Sequence, residues 1–279
     1  MQLYGFLFCG GPRWGKVGGD MIVLKLGGSL ITDKSKTFSF RRKVVERLAG
    51  EIKESGSIDN GLVIVHGGGS FGHPMAEAYG LAGGVKEVKQ LIGVASTRSA
   101  MTKLNTYVIE ALVSHSIPAV TVQTSAVAMC EDGRIKRFDL YPLKRLLSSG
   151  LVPVLYGDVV IDDKLGFSIL SGDQILTYLS RSLKPERIIL ATDVDGVFDR
   201  NPKEAPGEAR LISILTRREF DSIDYGRKND ATGGIKGKLL ELMALAQDGY
   251  EAQIINALRR DRLKKALSGG EVKGTKVRV

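Results

Sequence analysis

Four short apolar runs end in glycine-bearing turns, and no other feature of the chain constrains its fold as much. Met21–Leu26 runs into Gly27-Gly28-Ser29, and Gly61–Val65 into His66-Gly67-Gly68-Gly69. Val152–Tyr156 runs into Gly157-Asp158, and Arg187–Ala191 into Thr192-Asp193-Val194-Asp195-Gly196. Short apolar runs bounded in this way read as strands buried on both faces. Between and after them lie segments with helical spacing. Arg41–Glu54 carries Val44, Val45, Leu48 and Ile52, and Lys86–His115, as one helix or two, puts Met101, Leu104, Val108 and Leu112 on one face. Further helices are predicted to open at Pro74–Tyr79 and to run over Leu143–Ser148, Asp173–Ser182, Leu239–Gln247 and Arg262–Leu267. Pro118–Gln123 and Ala252–Asn256 add strands, Val159–Asp162 and Gly166–Ile169 a hairpin, and Lys276–Val279 an edge strand. This alternation predicts an α/β fold: a three-layer α/β/α sandwich with a mainly parallel central sheet. Ligands of such sheets sit beyond the carboxyl ends of the strands, where all four glycine turns collect.

Composition removes several classes of protein. The 279 residues are 43% hydrophobic and 25% charged, as in globular domains. The longest apolar runs are too short to span a bilayer. Two cysteines, Cys9 and Cys130, predict no disulfide framework, and three histidines, His66, His73 and His115, no histidine-rich metal site. A reducing cytoplasmic setting is the expectation. The net charge of +9 raises nucleic acid as a partner, but residues 251–279 supply +5 of it and no nucleic-acid-binding signature accompanies them. No nucleic acid and no membrane partner are therefore expected. A positive excess also suits a polyphosphate substrate. Residues 1–20 read as an extension outside the fold, without the basic start or cleavage site of a signal peptide.

Several side chains could carry chemistry. Three successive glycines after a strand let backbone amides turn toward one anion, and His73, a few residues on, can add a tunable donor. Lys25 lies inside an apolar strand: it is either an edge-strand lysine or one whose ammonium reaches a phosphate at Gly27 and Gly28. Asp173 in Ser171-Gly172-Asp173 is an N-cap or a carboxylate that orients lysines. Thr192–Gly196 is a solvated turn or a nucleotide loop that helps to position magnesium. Thr232-Gly233-Gly234-Ile235-Lys236-Gly237-Lys238 opens a helix and is a flexible loop or a second anion site. Neither a Walker A loop nor a dinucleotide fingerprint is present.

Taken in order, Lys25–Ser29, His66–Gly69, Ser171–Asp173, Thr192–Gly196 and Thr232–Lys238 resemble the amino acid kinase superfamily, over nearly all of Met21–Val279. His66–Pro74, Thr32-Asp33-Lys34, Gly157–Asp163 and Gly274-Thr275 are similar to the branch whose acceptor is isopentenyl phosphate. Fosfomycin kinases share much of this pattern. The resemblance implies the amino acid kinase fold, with a phosphate-acceptor lobe over 21–180 and a nucleotide-binding lobe over 181–279. It implies ATP with Mg2+, and Lys25, Lys34, His73, Asp173 and Lys238 as catalytic residues. ATP would be held by Lys25, Gly27, Gly28, Ser29, Thr192, Asp193, Asp195, Gly196, Lys236 and Lys238. The acceptor would be held by Gly67, Gly68, Gly72, His73 and Gly157. No protein ligand to a metal is expected, since magnesium would sit on the ATP phosphates. A homodimer is expected, and a product that feeds isoprenoid synthesis. Leu91–Met101 would wall the tail pocket, with small Ala95, Ser96 and Thr97 leaving room for longer tails. The competing readings are a kinase of the same fold for another phosphate or phosphonate, a carboxylate kinase, a non-catalytic nucleotide-binding regulator, and a nucleic-acid binder.

Overall fold

Ile22–Leu26 is buried at every position, as is Leu62–His66, so both strands must be covered on two faces. The computed structural model describes residues 21–202, 204, 207–225 and 234–279; the extension 1–20 and Thr232-Gly233 lie outside the described residues. In chain order the first half forms β1 (Ile22–Leu26), α1 (Gly28–Ile31), α2 (Arg42–Glu54), β2 (Leu62–His66), α3 (Gly69–Ala78), α4 (Lys89–Ser114), β3 (Ala119–Thr121), α5 (Thr124–Val127), β4 (Ala128–Glu131) and β5 (Arg134–Phe138). Then come α6 (Tyr141–Ser148), β6 (Val152–Tyr156), β7 (Asp158–Asp162), β8 (Gly166–Leu170), α7 (Gly172–Leu183), β9 (Arg187–Thr192), β10 (Val197–Phe198), β11 (Leu211–Ile212) and β12 (Ile214–Leu215). The chain ends with α8 (Arg217–Ser222), α9 (Gly234–Gln247), β13 (Ala252–Asn256), α10 (Arg262–Leu267) and β14 (Gly274–Val277).

The central sheet has eight strands in the order β12-β14-β13-β9-β1-β2-β6-β3. From β13 to β3 every pairing is parallel. The strand expected at the edge is Gly274–Val277 and lies one place inside it, antiparallel to β13, with β12 outermost. Alternation along β1 sorts its side chains between two cores. Ile22, Leu24 and Leu26 join Leu48, Leu104 and Leu263 from α2, α4 and α10, while Val23 joins Ile175, Leu179 and Leu242 from α7 and α9. The predicted three layers are thus present. Segments 21–180 and 181–279 contribute adjoining strands of one sheet, and the division at 180 falls inside α7.

Two local differences from the sequence reading have clear causes. Lys89–Ser114 is one helix, one of the two expected alternatives, whereas Ala128–Phe138 adds a hairpin that the charged run Arg134–Arg137 disguised. This hairpin extends the predicted β7/β8 pair into a four-stranded sheet, β5-β4-β7-β8. In addition, α3 starts at Gly69 rather than at Pro74, which sits inside the helix. The glycine segment is therefore a helix start and not an extended loop.

The turns after β1 and β2 touch through their backbones. A Cβ on Gly28 would lie 2.5 Å from the amide nitrogen of Gly69, and one on Gly67 would lie 2.9 Å from that of Gly28. Gly50, in contrast, is a helical glycine whose Cβ would meet nothing closer than His115, at 3.7 Å. Gly28→Ala should therefore cost about 1–3 kcal/mol of stability through overpacking against backbone. Gly50→Ala should be neutral or stabilise by up to about 1 kcal/mol through helix propensity. Urea unfolding of both variants checks this; equal midpoints would refute the contact argument.

Candidate functional site

The carboxyl ends of β1, β2, β6 and β9 open into one cleft with an empty volume of about 1220 Å3, solvent mouth included. Lys25, Gly27, Gly28, Ser29, Lys34, Gly67, Gly68, Gly72, His73, Gly157, Asp173, Thr192, Asp193 and Lys238 all line it. Most of the residues singled out in the sequence are therefore brought together. Asp195, Gly196 and Lys236 are not among the lining residues. Asp195 is bonded to Arg262 at 2.8 Å, Lys273 at 3.1 Å and Asn256 at 3.0 Å. Burial opposes its ionisation, but these donors hold its carboxyl down at about 2. Gly196 (φ +148°) packs on Thr275, where a Cβ would lie 2.5 Å from the hydroxyl. Lys236 is exposed, with its ammonium over the Tyr225 ring.

Lys25 is not an edge-strand lysine, because β1 lies between β2 and β9. Its side chain leaves the sheet on the α7 side, with Val23, and its Nζ meets Asp173 Oδ1 at 2.5 Å. Burial lowers the Lys25 pKa; Asp173 pushes the other way, while Lys238 and Lys34 lower it further. Asp173 itself is held below the usual carboxylate range: burial works against this, and Lys25 and Lys238 outweigh it. It does not cap α7. Ser171 does, in a capping box with Gln174, which leaves the Asp173 carboxylate to the lysines. Lys25 and Lys238 thus share one carboxylate, and Lys34 adds a third positive charge to the same cleft, a net excess of a kind that a polyphosphate can neutralise. Across the cleft, the Ser29 hydroxyl donates to Asp193 Oδ1 at 2.6 Å. The Thr192 hydroxyl is engaged with the carbonyls of Ile255 and Val194.

The glycines serve the cleft differently from the sequence expectation. The amides of Gly27, Gly67 and Gly157 donate to the carbonyls of Ala191, Leu26 and His66, continuing the sheet. These three glycines let backbones approach closely and do not aim donors at an anion. Gly68 precedes α3 and Gly69 begins it, so the start of that helix, with His73 one turn on, faces the cleft. Gly68 and Gly72 also make room for the Met101 sulfur, which a Cβ would approach to 3.1 Å and 2.7 Å.

Beyond His73 the wall turns apolar, with Ala76, Met101, Val159 and Ile169. From α4 only Thr97 and Met101 reach it; Ala95 is exposed and Ser96 half-buried, both turned away by the helical period. Ala76, Val159 and Ile169 carry no signal in the sequence, because they resemble any core residue. Among the described residues, no group of three or more His, Cys, Asp or Glu side chains could hold a metal ion. No helix among them is long and apolar enough to cross a membrane.

This fold and this cleft define a small-molecule kinase of the amino acid kinase type. The amino acid kinase family pattern matches residues 20–256. The isopentenyl phosphate kinase of Methanothermobacter thermautotrophicus is 44% identical over 265 residues, 92% of this chain and 98% of that protein. A solved isopentenyl phosphate kinase structure superposes with a TM-score of 0.82 at 42% identity, over 92% of this chain and 99% of that one. The product complex of the Thermoplasma acidophilum isopentenyl phosphate kinase follows at 0.77 and 33%, over 92% and 100%. The chain belongs to the amino acid kinase family and, within it, to the isopentenyl phosphate kinases.

The first histidine of the glycine segment is structural. His66 is fully buried and stacks on Tyr156, its Nδ1 donating to Gly67 O and its Nε2 accepting from Asn105. Burial drives its pKa down to about 4, against a weaker opposing pull from the Gly67 carbonyl. Between pH 6.5 and 4 the unfolded chain therefore binds the extra proton and the folded one does not. His66 should contribute fully to stability above pH 6.5 and lose on the order of 3 kcal/mol as the pH falls toward 4. Denaturant titrations at pH 7 and pH 5 should show a smaller difference for His66→Asn than for the native chain; equal differences would refute this.

Proposed function

We propose that the protein transfers the γ-phosphoryl group of ATP to isopentenyl phosphate, forming isopentenyl diphosphate. One observation carries the reading: Lys25 and Lys238 at Asp173, with Lys34 beside them, share a cleft with His73 and with an apolar wall of Ala76, Met101, Val159 and Ile169 that suits a hydrocarbon tail. The identity to isopentenyl phosphate kinases supports it. In this reading Lys25 and Lys238 hold the ATP phosphates beside Gly28 and Ser29, with Gly27 only bordering them, and Lys34 follows the phosphoryl group in flight. Asp173 holds Lys25 in place. His73 and the start of α3 bind the acceptor phosphate, bordered by Gly67, Gly68, Gly72 and Gly157. Thr192 and Asp193 border the nucleotide. The attacking atom is already an ionised phosphate oxygen, so no general base is required. Catalysis then rests on position and charge neutralisation.

Magnesium supplies further charge neutralisation on the ATP phosphates when bound; the Asp193 carboxylate, oriented by Ser29, fits a role through its waters. Segments 21–180 and 181–279 act in this reading as acceptor and nucleotide lobes. Cys130 is a buried free thiol, which suits a reducing cytoplasmic setting.

The activity is tested by ADP release from Mg-ATP with isopentenyl phosphate, fosfomycin and glutamate in parallel. Turnover with isopentenyl phosphate is expected; turnover only with another acceptor would overturn the assignment. His73→Ala should lower turnover on the order of a hundredfold while ATP binding persists. Near-native turnover in that variant would remove His73 from the acceptor site.

A homodimer is part of the proposal. Val88, Leu91 and Ile92, at the start of α4, form an exposed apolar stripe, 82%, 45% and 63% accessible. Ile92→Asp should shift the sedimentation of the protein from dimer to monomer. A native chain that sediments as a monomer, or a variant that remains dimeric, would refute the stripe as the interface.

A further inference from the structure

Lys34 stands on the turn between Thr32 and Phe40, which pair across its base as an isolated β-bridge. Residues 34–38 of this turn are exposed, yet the turn is tethered. All three polar groups of Ser70, in the first turn of α3, are engaged with it. The Ser70 amide donates to Thr32 Oγ1 at 3.0 Å. Its carbonyl accepts from the Phe38 amide at 3.0 Å, and its hydroxyl oxygen accepts from the Ser39 amide at 3.1 Å. Thr32 Oγ1 in turn donates to Gly28 O at 2.7 Å, so the chain of bonds begins at the first glycine turn. The Asp33 amide closes the turn on Ser39 O at 2.9 Å. Phe38 holds a left-handed conformation (φ +54°) that a bulky residue adopts only under constraint, and its ring sits edge-on against Phe71.

The carbonyl of Ser70 is available because of Pro74. In a regular helix it would accept from the amide four residues on, and proline has none. The proline that ordinarily weakens a helix interior here leaves an acceptor facing the Lys34 turn, one residue after His73.

We propose that Ser70, Thr32 and Pro74 are positioning residues: they fasten the Lys34 turn to the helix that carries His73, so that acceptor clamp and Lys34 move as one unit. The proposal rests on the role given to Lys34 above, and goes beyond it by naming what aims that lysine. It also accounts for two features of the His66–Pro74 segment that phosphate binding does not use, the serine at 70 and the proline at 74.

The test is a set of variants assayed for kcat, both KM values and thermal midpoint. Thr32→Val removes the hydroxyl with little change of shape and should lower kcat roughly ten- to a hundredfold, with KM for ATP little changed. Thr32→Ser keeps the hydroxyl and should restore most of the loss. Pro74→Ala returns an amide that competes for Ser70 O; it should raise the thermal midpoint while lowering kcat. A purely structural role predicts that activity follows stability, so higher stability with lower turnover supports the proposal. In a Lys34→Ala background, Thr32→Val should have little further effect, because both changes act through the same ammonium. Full multiplication of the two losses would overturn the proposal, as would native kcat in both Thr32→Val and Pro74→Ala. If Lys34→Ala alone keeps native turnover, the assignment of Lys34 fails instead, and the two failures are told apart.

Discussion

The cleft exists because two backbones can touch. Gly28 and the Gly67–Gly69 turn approach so closely that a single Cβ at Gly28 would fall inside the van der Waals shell of the Gly69 amide and Cα. Only glycine allows two helices, α1 and α3, to start side by side at the ends of neighbouring parallel strands. Everything in the site inherits its position from this contact. It sets the distance from the lysines of one side to His73 on the other, and it brings Gly28 O within reach of Thr32 and so of Ser70.

The second organising feature is electrostatic. Lys25 lies on a strand that is otherwise wholly apolar, and its desolvation is offset locally by one carboxylate, Asp173. Removing either partner would leave a buried charge, which costs far more than the pair gains. The arrangement nevertheless remains short of anions, since Lys238 shares the same carboxylate and Lys34 adds a further like charge on Lys25. A site of this kind is incomplete until a polyanion enters it, which turns a folding liability into binding energy. The same accounting explains why Ser171 caps α7: with the cap supplied by a neutral hydroxyl, the adjacent carboxylate is free for the lysine.

Much of this was legible from local pattern. The apolar runs, the glycines after them and the helical spacing of Val45, Leu48 and Ile52 predict the elements and the layer order, because burial imposes its period directly on the chain. Lys25, Lys34, His73, Asp173 and Lys238 stand out for their residue type beside those turns, and all five line the cleft. Other features left no local trace. The start of α3 was hidden by Pro74, whose helix-breaking tendency is overridden when its missing bond is used elsewhere. The Arg134–Phe138 strand was hidden by its exposed, charged faces. Asp195 carries the same chemistry as Asp193 two residues away, yet turns to Arg262 and Lys273.

The sequence by itself therefore determined most of the strands and helices, that the sheet is mainly parallel, and that its glycine-bearing ends gather with Lys25, Lys34, His73, Asp173 and Lys238 at one end of it. Periodicity and steric freedom are properties of neighbouring residues, and they survive without knowledge of the fold. Tertiary structure alone decided the partners: Ser29 with Asp193 across 164 residues, Lys25 with Asp173, Met101 against Gly68 and Gly72, and Ser70 with the turn that bears Lys34. Those choices depend on which strand ends become neighbours in space and on which buried polar group still lacks a partner there. Such a balance of desolvation and pairing is settled only once the sheet has assembled.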